Sequence, residues 1–521
     1  MGSSLSFTHL IISAGKMRER TLTLKLVQIT FWLNGKQLSI SVPPGMTALE
    51  LLNNKLSLTG TKSSCNEGDC GACTVVIGST KDGKVRYNAV NSCLYPAFRL
   101  HNKHLITVEG LADEDYLHPI QEALLDMHGT QCGFCTPGFV MSILGMFLNK
   151  INPTKEEILS ALEGNLCRCT GYDSIVKAVN LAKTKILKDK NLLPDNLKQV
   201  EPLLINTDFT LQQEDINNLE SWDTVTCFIP QTLNELWDSV RYCKPRGSFK
   251  YLSGGTDLMV LANIQHIRPM YLIDLFNITE LQGIRLSHDK GVINDKSERE
   301  TIVLGANVTM TELMKDKLIA KHLPVMVKAL SQMASTQIRN SATLAGNIAN
   351  ASPVADGATT LLTLEAEVII AKRNGERKVK LCDFYHGYKK TELKPDEIIK
   401  EIVIPVPQTN KLFTGFLKSA KRKAVDISGV VSAIKIQYKD KVITDAVISF
   451  GGVAPYPALA TQTMAFLHRK KIEASWFEHA AEVAMSEFKP ITDVRGNEAY
   501  RSLLIKNHII KHLEALLLSV Q

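Results

Sequence analysis

Cysteine spacing carries the clearest chemistry in this 521-residue chain, in which eight of eleven cysteines fall into two groups. The first is Cys65, Cys70 and Cys73 in CNEGDCGACTVV, a C-x4-C-x2-C pattern, with Cys93 further on. Cysteine is ordinarily a small buried hydrophobe, yet here it alternates with two glycines, two acids and an asparagine. Thiolates in this pattern are the plant-type 2Fe–2S ligand arrangement. Gly68 and Gly71 allow the tight turns that bring amide N–H groups toward an anionic cluster. Zinc also accepts four thiolates, although its sites usually use two C-x2-C knuckles. The second group is Cys132 and Cys135 in QCGFC with Cys167 and Cys169 in NLCRC. A C-x2-C with a distant C-x-C, both at helix termini, suits an anionic cluster held between helices. A thioredoxin-like redox pair is the alternative for Cys132 and Cys135. Cys227, Cys243 and Cys382 stand alone and read as core residues.

Clusters that pass single electrons need a donor and an acceptor, and the second half of the chain offers one. No G-x-G-x-x-G follows a strand, so a Rossmann fold has no support. Instead FKYLSGGTDLMV (249–260) sets a Ser-Gly-Gly-Thr-Asp turn directly after a strand, where consecutive amides form an anion nest. Its plain alternative is an ordinary loop. ATLAGNIANASPVADGATTLL (342–362) adds small residues for close backbone approach, with Asn347, Asn350, Ser352 and Asp356 as hydrogen-bonding groups. A tightly packed helix start is the alternative there. Together the two segments favour a dinucleotide cofactor.

Hydrophobic periodicity supplies the scaffold. Residues 27–42 alternate on either side of Asn34-Gly35, a strong hairpin signal, and Thr47 with Glu50 form a capping box opening a helix through Leu56. Further strands are expected near 74–77, 86–90 and 105–108. From residue 111 the period becomes helical: HPIQEALLDMHG, a helix capped by Thr136 with Pro137 in its first turn, one capped by Thr154 and Glu157, and one over 174–187. Residues 188–221 are polar and weakly periodic and read as a linker. The expected organisation is an α+β multidomain chain: a leader over 1–24, expected to be disordered, a ferredoxin-like domain over 25–110, a four-helix domain over 111–187, the linker, an α+β domain over 222–408 and a C-terminal α+β domain over 409–521.

Composition narrows the function. The chain is 45% hydrophobic and 22% charged, with a net charge of +7. No basic patch interleaves with aromatics, which argues against nucleic acid. No window approaches the eighteen apolar residues of a membrane span, and the N-terminal residues do not form a signal peptide. A cytoplasmic protein is expected, and clustered cysteines in a reducing compartment indicate metal or redox chemistry rather than disulfides.

Taken in order, CNEGDCGACTVV, AVNSC, LHPIQEALLDMHGTQCGFCTPGFVMS and NLCRCTGY resemble the two iron–sulfur domains of the molybdenum hydroxylases. YLSGGTDL, LAGNIANASPVAD and FGGVAP resemble the FAD domain that follows them. The best likeness is to the separate small subunit of bacterial xanthine dehydrogenases. The resemblance implies that Cys65, Cys70, Cys73 and Cys93 bind one 2Fe–2S cluster in a β-grasp domain, and that Cys132, Cys135, Cys167 and Cys169 bind the other in the four-helix domain. It implies an FAD domain of the vanillyl-alcohol-oxidase-like type and a C-terminal flavoprotein domain. Ser253, Gly254, Gly255, Thr256, Asp257 and Leu258 would face the FAD pyrophosphate. Thr343, Gly346, Asn347, Asn350, Ser352 and Asp356 match the second flavin segment, and Lys418 matches a lysine near the isoalloxazine. No catalytic residue is implied on this chain: a larger molybdopterin-binding partner would perform the hydroxylation of xanthine or hypoxanthine toward urate in purine catabolism. Electrons would pass from molybdenum through the helical-domain cluster, the β-grasp cluster and FAD to NAD+, in a pair of heterodimers. An equivalent subunit of an aldehyde- or other heterocycle-oxidising molybdenum enzyme is the alternative.

Two departures stand out. Ala424 and Val425 precede Asp426 where relatives commonly carry an acidic run, which leaves the acceptor open between NAD+ and another. Asp173 follows Gly171-Tyr172 where a basic residue is usual.

Overall fold

The computed structural model describes residues 24–112, 116–189, 192–209, 212–216, 225–290, 298–407, 409 and 411–521. Apart from Leu24, the expected leader lies outside the described residues.

Two strands, β1 (Leu24–Leu33) and β2 (Lys36–Val42), pair antiparallel with Leu33 opposite Lys36. Asn34 and Gly35 turn between them with φ of 49° and 88°, the doubly left-handed geometry that matches strand twist. With β3 (Thr74–Lys81), β4 (Lys84–Asn91) and β5 (His104–Ile106), the sheet runs β2-β1-β5-β3-β4, and β1 lies parallel to β5. Phe31, Leu51, Leu52, Leu100 and Leu105 fill the space between this β-grasp sheet and its helix. The Thr47–Glu50 capping box is present. The helix it opens does not run on as regular α-helix: Leu51–Lys55 is a wider π turn in which Leu56 N–H bonds the Leu51 carbonyl, leaving both Leu51 and Leu52 fully buried.

Four helices follow, Pro119–Asp126, Thr136–Asn149, Lys155–Leu162 and Asp173–Asp189. Their core of Phe139, Ile143, Phe147, Val179 and Ile186 is continuous with Val76, Tyr87 and Ala89 on the back of the β-grasp sheet. The two cysteine-bearing units are therefore packed on one another. Thr154 and Glu157 form their box. Thr136 does not cap its helix: Cys135 occupies the N-cap without a side-chain bond, and the Thr136 hydroxyl meets that of Thr130 at 2.7 Å. Asp173 opens the last helix and pairs with Lys177 at 2.6 Å, a favourable place for an acid against the helix dipole.

The segment read as a linker, 188–221, carries structure. Helices Asp195–Lys198 and Val200–Asn206 bury Leu197, Val200 and Leu204, and Gln212–Ile216 adds a strand antiparallel to β1. Spaced leucines and valine dock a polar chain that has too few apolar residues to show a period.

In the third unit, Thr226–Phe228, Tyr271–Asp274 and Phe249–Leu252 form a small parallel sheet. A five-stranded antiparallel sheet lies beyond it, in the order Ile284–Lys290, Glu298–Gly305, Ile398–Pro405, Glu367–Lys372, Gly375–Lys380. The last unit is an antiparallel sheet built on Leu412–Ser419, Val430–Lys439 and Val442–Gly451 and covered by helices, the longest being Glu498–Val520. Cys227 and Cys243 are buried as expected, but Cys382 is exposed, because it lies in a surface turn over Leu381–Asp383.

His508 and His512 project from the long C-terminal helix into the domain core and share the Ser432 hydroxyl at 2.8 and 2.9 Å. Burial, with Lys511 adding to it, pushes His508 down to about 4 from an ordinary 6.5, and burial depresses His512 as well. Between those values the unfolded chain binds protons that the folded one refuses, so stability rises with pH. His508 contributes up to about 3 kcal/mol above pH 6.5, lost as pH falls toward 4. Calorimetry should show the thermal midpoint falling from pH 7 to pH 5, with His508→Gln flattening that dependence.

Candidate cofactor sites

The first cysteine loop curls because Asn66, Gly68 and Gly71 all take positive φ, at 56°, 86° and 66°. The sulfurs approach in pairs rather than as a closed set. Cys73 and Cys93 Sγ lie 3.3 Å apart and buried, while Cys65 Sγ accepts the Cys70 N–H at 3.4 Å. A hydrogen bond from the Cys70 thiol brings Cys65 down to about 5, with the N–H groups of Glu67, Cys70 and Asp69 assisting and burial opposing; the same bond, with burial, pushes Cys70 up, so the pair shares one proton. Gly68 N–H reaches Cys93, and Asn91 Nδ2 points to Cys73 Sγ at 3.8 Å. A concave loop whose amides converge on sulfur stabilises thiolates, the form that ligates metal. This donor set fits a 2Fe–2S cluster.

The second set repeats the logic. Cys132 and Cys169 Sγ are 3.7 Å apart, and the Cys135 and Cys167 thiols hydrogen-bond each other. Burial pushes Cys167 up, but the Thr170 hydroxyl at 3.1 Å and the Thr170 and Cys169 amides more than offset it, so this thiol titrates below its usual value. Gly133, Gly171 and Tyr172 supply the left-handed turns. Cys132 and Cys169 are exposed, whereas Cys73 and Cys93 are buried.

Sequence reasoning missed how the sets are joined. Leu166 N–H donates to the Cys70 carbonyl at 2.9 Å, and Cys167 is the next residue. The buried amide of Asn165 accepts from Ser142 Oγ at 2.6 Å and donates to the Gly71 carbonyl at 3.0 Å. Gln337, from the third unit, donates to both Ser142 Oγ and Asn165 Oδ1, at 2.9 and 3.0 Å. A Cβ on Gly71 would lie 2.2 Å from the Gly164 carbonyl, so only glycine permits this approach.

The expected flavin residues converge at the carboxyl end of the parallel sheet, where open α/β sheets bind ligands. Ser253 Oγ meets Asn307 Oδ1 at 3.0 Å and Thr343 Oγ1 at 3.1 Å. Thr343 caps Leu344–Asn350 by accepting the Gly346 N–H. Asn350 Nδ2 donates to Asp257 at 2.9 Å, Asn347 Oδ1 accepts from Ala358 N–H, Ser352 Oγ accepts from Val354 N–H, and Leu258 begins the helix Leu258–Ile264. A Cβ on Gly254 would fall 2.3 Å from the Ser341 carbonyl, while Gly255 has φ of 82°. The N–H groups of Gly254, Gly255 and Thr256 bond to no other described residue. A backbone held this close with free donors fits a pyrophosphate. Lys418 forms a buried ion pair with Asp356 at 2.9 Å and donates to the Gln332 carbonyl. Ser428, Asn307 and Lys389, which donates to Asn350, join this site without any sequence signal beyond being polar.

Known proteins place these parts in a context. Residues 31–97 match the 2Fe-2S iron-sulfur cluster binding domain and 107–180 the 2Fe-2S binding domain. Residues 223–407 match the FAD binding domain in molybdopterin dehydrogenase, and 415–516 the CO dehydrogenase flavoprotein C-terminal domain. The xanthine dehydrogenase of Blastobotrys adeninivorans is 30% identical over 94% of this chain and 41% of its own length. The xanthine dehydrogenase/oxidase of Mus musculus is 31% identical over 87% and 36%. The chain thus spans about two fifths of the curated relatives it matches. Among solved structures, a carbon monoxide dehydrogenase chain from Hydrogenophaga pseudoflava aligns with a TM-score of 0.51 at 25% identity, covering 56% of this chain and 96% of that one. Quinoline 2-oxidoreductase from Pseudomonas putida 86 aligns with 0.51 at 27%, covering 57% and 97%.

Gly254→Ala should therefore strip flavin selectively. The added methyl has backbone on its far side and no flexible side chain to displace. Flavin per chain after gel filtration should fall at least severalfold while iron stays unchanged.

Proposed function

We propose that this chain, an electron-transferring iron–sulfur and flavin part of a molybdenum hydroxylase, is the small subunit of a xanthine dehydrogenase-type enzyme. It would carry electrons from a molybdenum centre on a larger molybdopterin-binding partner, through two 2Fe–2S clusters and FAD, to NAD+. Purine catabolism, with xanthine or hypoxanthine as the partner's substrate, is the assignment that the similarity to named xanthine dehydrogenases supports. A pair of such heterodimers is the assembly proposed.

The observation that carries this reading is the graded burial along one joined line of sites. Exposed Cys132 and Cys169 are rimmed by exposed Leu125, Phe134, Leu166 and Tyr172. An apolar hollow of about 320 Å³, lined by Leu124, Leu125, Pro137 and Val140, opens beside them. That is an entry face for a partner. Inward, the Leu166–Cys70 bond leads to the first set, in which Cys65 and Cys70 are half-buried and Cys73 and Cys93 buried, and whose apolar shell of Leu49, Leu94, Met259 and Ile338 is shared with the flavin-side unit. Bound clusters exchange single electrons, and bound flavin pairs them for hydride transfer. The chain's own residues fix ligand positions, exclude water from Cys73 and Cys93 and, through Lys418 and Asp356, hold a neutralised ion pair at the flavin site. The CO dehydrogenase and quinoline 2-oxidoreductase likeness favours a second reading, the same role beside a partner with another substrate.

Anaerobic purification tests the proposal. Two irons for each 2Fe–2S domain and one FAD per chain are expected, with flavin and cluster absorbance bleaching when NADH is added. Cys169→Ser should lose about half the iron and keep the NADH-reducible flavin. Full cofactors without bleaching would assign a different acceptor, and zinc with no flavin would sink the reading.

A further inference from the structure

A turn that offers consecutive N–H groups to an anion must direct carbonyls elsewhere, and buried carbonyls need donors. In the Leu252–Thr256 turn the Ser253 carbonyl takes its donor from another domain, and the Leu252 carbonyl, which already accepts the Leu275 N–H at 2.8 Å, takes a second donor from the same side chain. Arg99, six residues beyond Cys93 in the β-grasp unit, reaches across the boundary with a buried guanidinium. Its Nη2 donates to the Leu252 carbonyl at 3.2 Å and the Ser253 carbonyl at 2.5 Å. Nη2 and Nε also engage both carboxylate oxygens of fully buried Asp274, the latter at 3.2 Å. The Phe276 ring lies 4.7 Å beneath the guanidinium carbon. Asn263, in the helix that continues the turn, returns the contact by donating to the carbonyls of Asn66 and Cys93 at 3.0 and 2.8 Å.

We infer that Arg99 is a positioning residue for the flavin turn, so that FAD retention is set by a side chain of the iron–sulfur half. The inference rests on the reading that this turn holds FAD. A forked, always-charged group is required, because one donor array must satisfy the Ser253 carbonyl and both oxygens of a buried carboxylate at once while adding a second bond to the Leu252 carbonyl. Asp274 supplies the opposite charge that makes burial of the guanidinium tolerable. Flavin binding and the packing of residues 92–100 then share one set of bonds, and linkage requires each to stabilise the other.

The test uses the full chain with its cofactors. Arg99→Met alone leaves Asp274 buried and unpaired, so it is compared with Arg99→Met/Asp274→Asn, which removes both charges at similar volume. The double variant is expected to keep its iron while FAD affinity, measured by equilibrium dialysis, falls about tenfold. Arg99→Lys keeps the charge beside Asp274 but not the forked reach, and should fall between. Removing FAD from the wild type should speed hydrogen exchange over residues 92–100, a response absent in the double variant. FAD affinity within about twofold of wild type in Arg99→Lys and the double variant, with the exchange response retained, would overturn the inference and leave the functional reading intact. If the double variant loses its iron, Arg99→Lys decides alone. A wild-type chain lacking flavin would overturn both.

Discussion

A buried amide must find partners for its donors and its acceptor or lose more than the fold gains by burying it. Asn165 meets that demand at the point where three units of this chain meet. Its acceptor is filled by Ser142 and Gln337, and its donors reach Gly71 and Thr74. Slip the β-grasp unit and its donors are stranded; slip the flavin-side unit and its acceptor is left with Ser142 alone. Glycine makes the approach possible: Cβ atoms at Gly138 and Gly164 would lie 2.3 Å from the Gly71 carbonyl and 2.1 Å from Gln337 Oε1. Nearby, buried Arg339 of the flavin-side unit pairs with Glu163 at 2.5 Å. These contacts are directional, so they fix register where apolar packing alone would tolerate sliding.

Rigidity of this kind has a functional consequence. Fixed, short separations between redox groups matter more than flexible access, since the carriers never leave their sites. The inner cysteine set illustrates the division of labour. Backbone N–H groups face the sulfurs, and apolar side chains from two units close the outside. The first favours anionic ligands and the second excludes water, and the two together determine how easily a bound cluster accepts an electron.

The ligand cysteines were legible because the chemistry dictates residue type and spacing together. Capping boxes at Thr47 and Thr154 were legible because they are local. What escaped was non-local. Leu197, Val200 and Leu204 dock residues 195–206 through contacts with distant elements that no short window reveals. Arg99, Gln337 and Asn165 carry no signal, since their partners in other units are 91 to 195 positions away. Thr136 was misassigned because Thr before Pro is a sound cap in isolation, whereas here the preceding Cys135 takes the N-cap backbone position.

The Arg422–Asp426 turn is built differently from the domain junction. Val425 is β-branched and buried, yet holds φ of 50°, a conformation that costs on the order of 1–3 kcal/mol. It persists because Arg422 grips both ends of the turn: its guanidinium donates to the Val425 carbonyl at 2.6 Å, and its N–H donates to Asp426 Oδ2 at 2.9 Å. The same arginine acts electrostatically on Asp69 of the first cysteine loop, whose carboxyl is raised by burial and by Cys65. Strain is therefore held in the Arg422–Asp426 turn, within electrostatic reach of the first cysteine loop. The junction leaves the buried Gln337 Oε1 and Asn91 Oδ1 without partners among the described residues, whereas this turn is held in a left-handed conformation by a surface-facing arginine. An anion drawn to Arg422 would compete with Asp426 and the Val425 carbonyl for the same donors, so the conformation of this turn is tied to the charge around one exposed side chain.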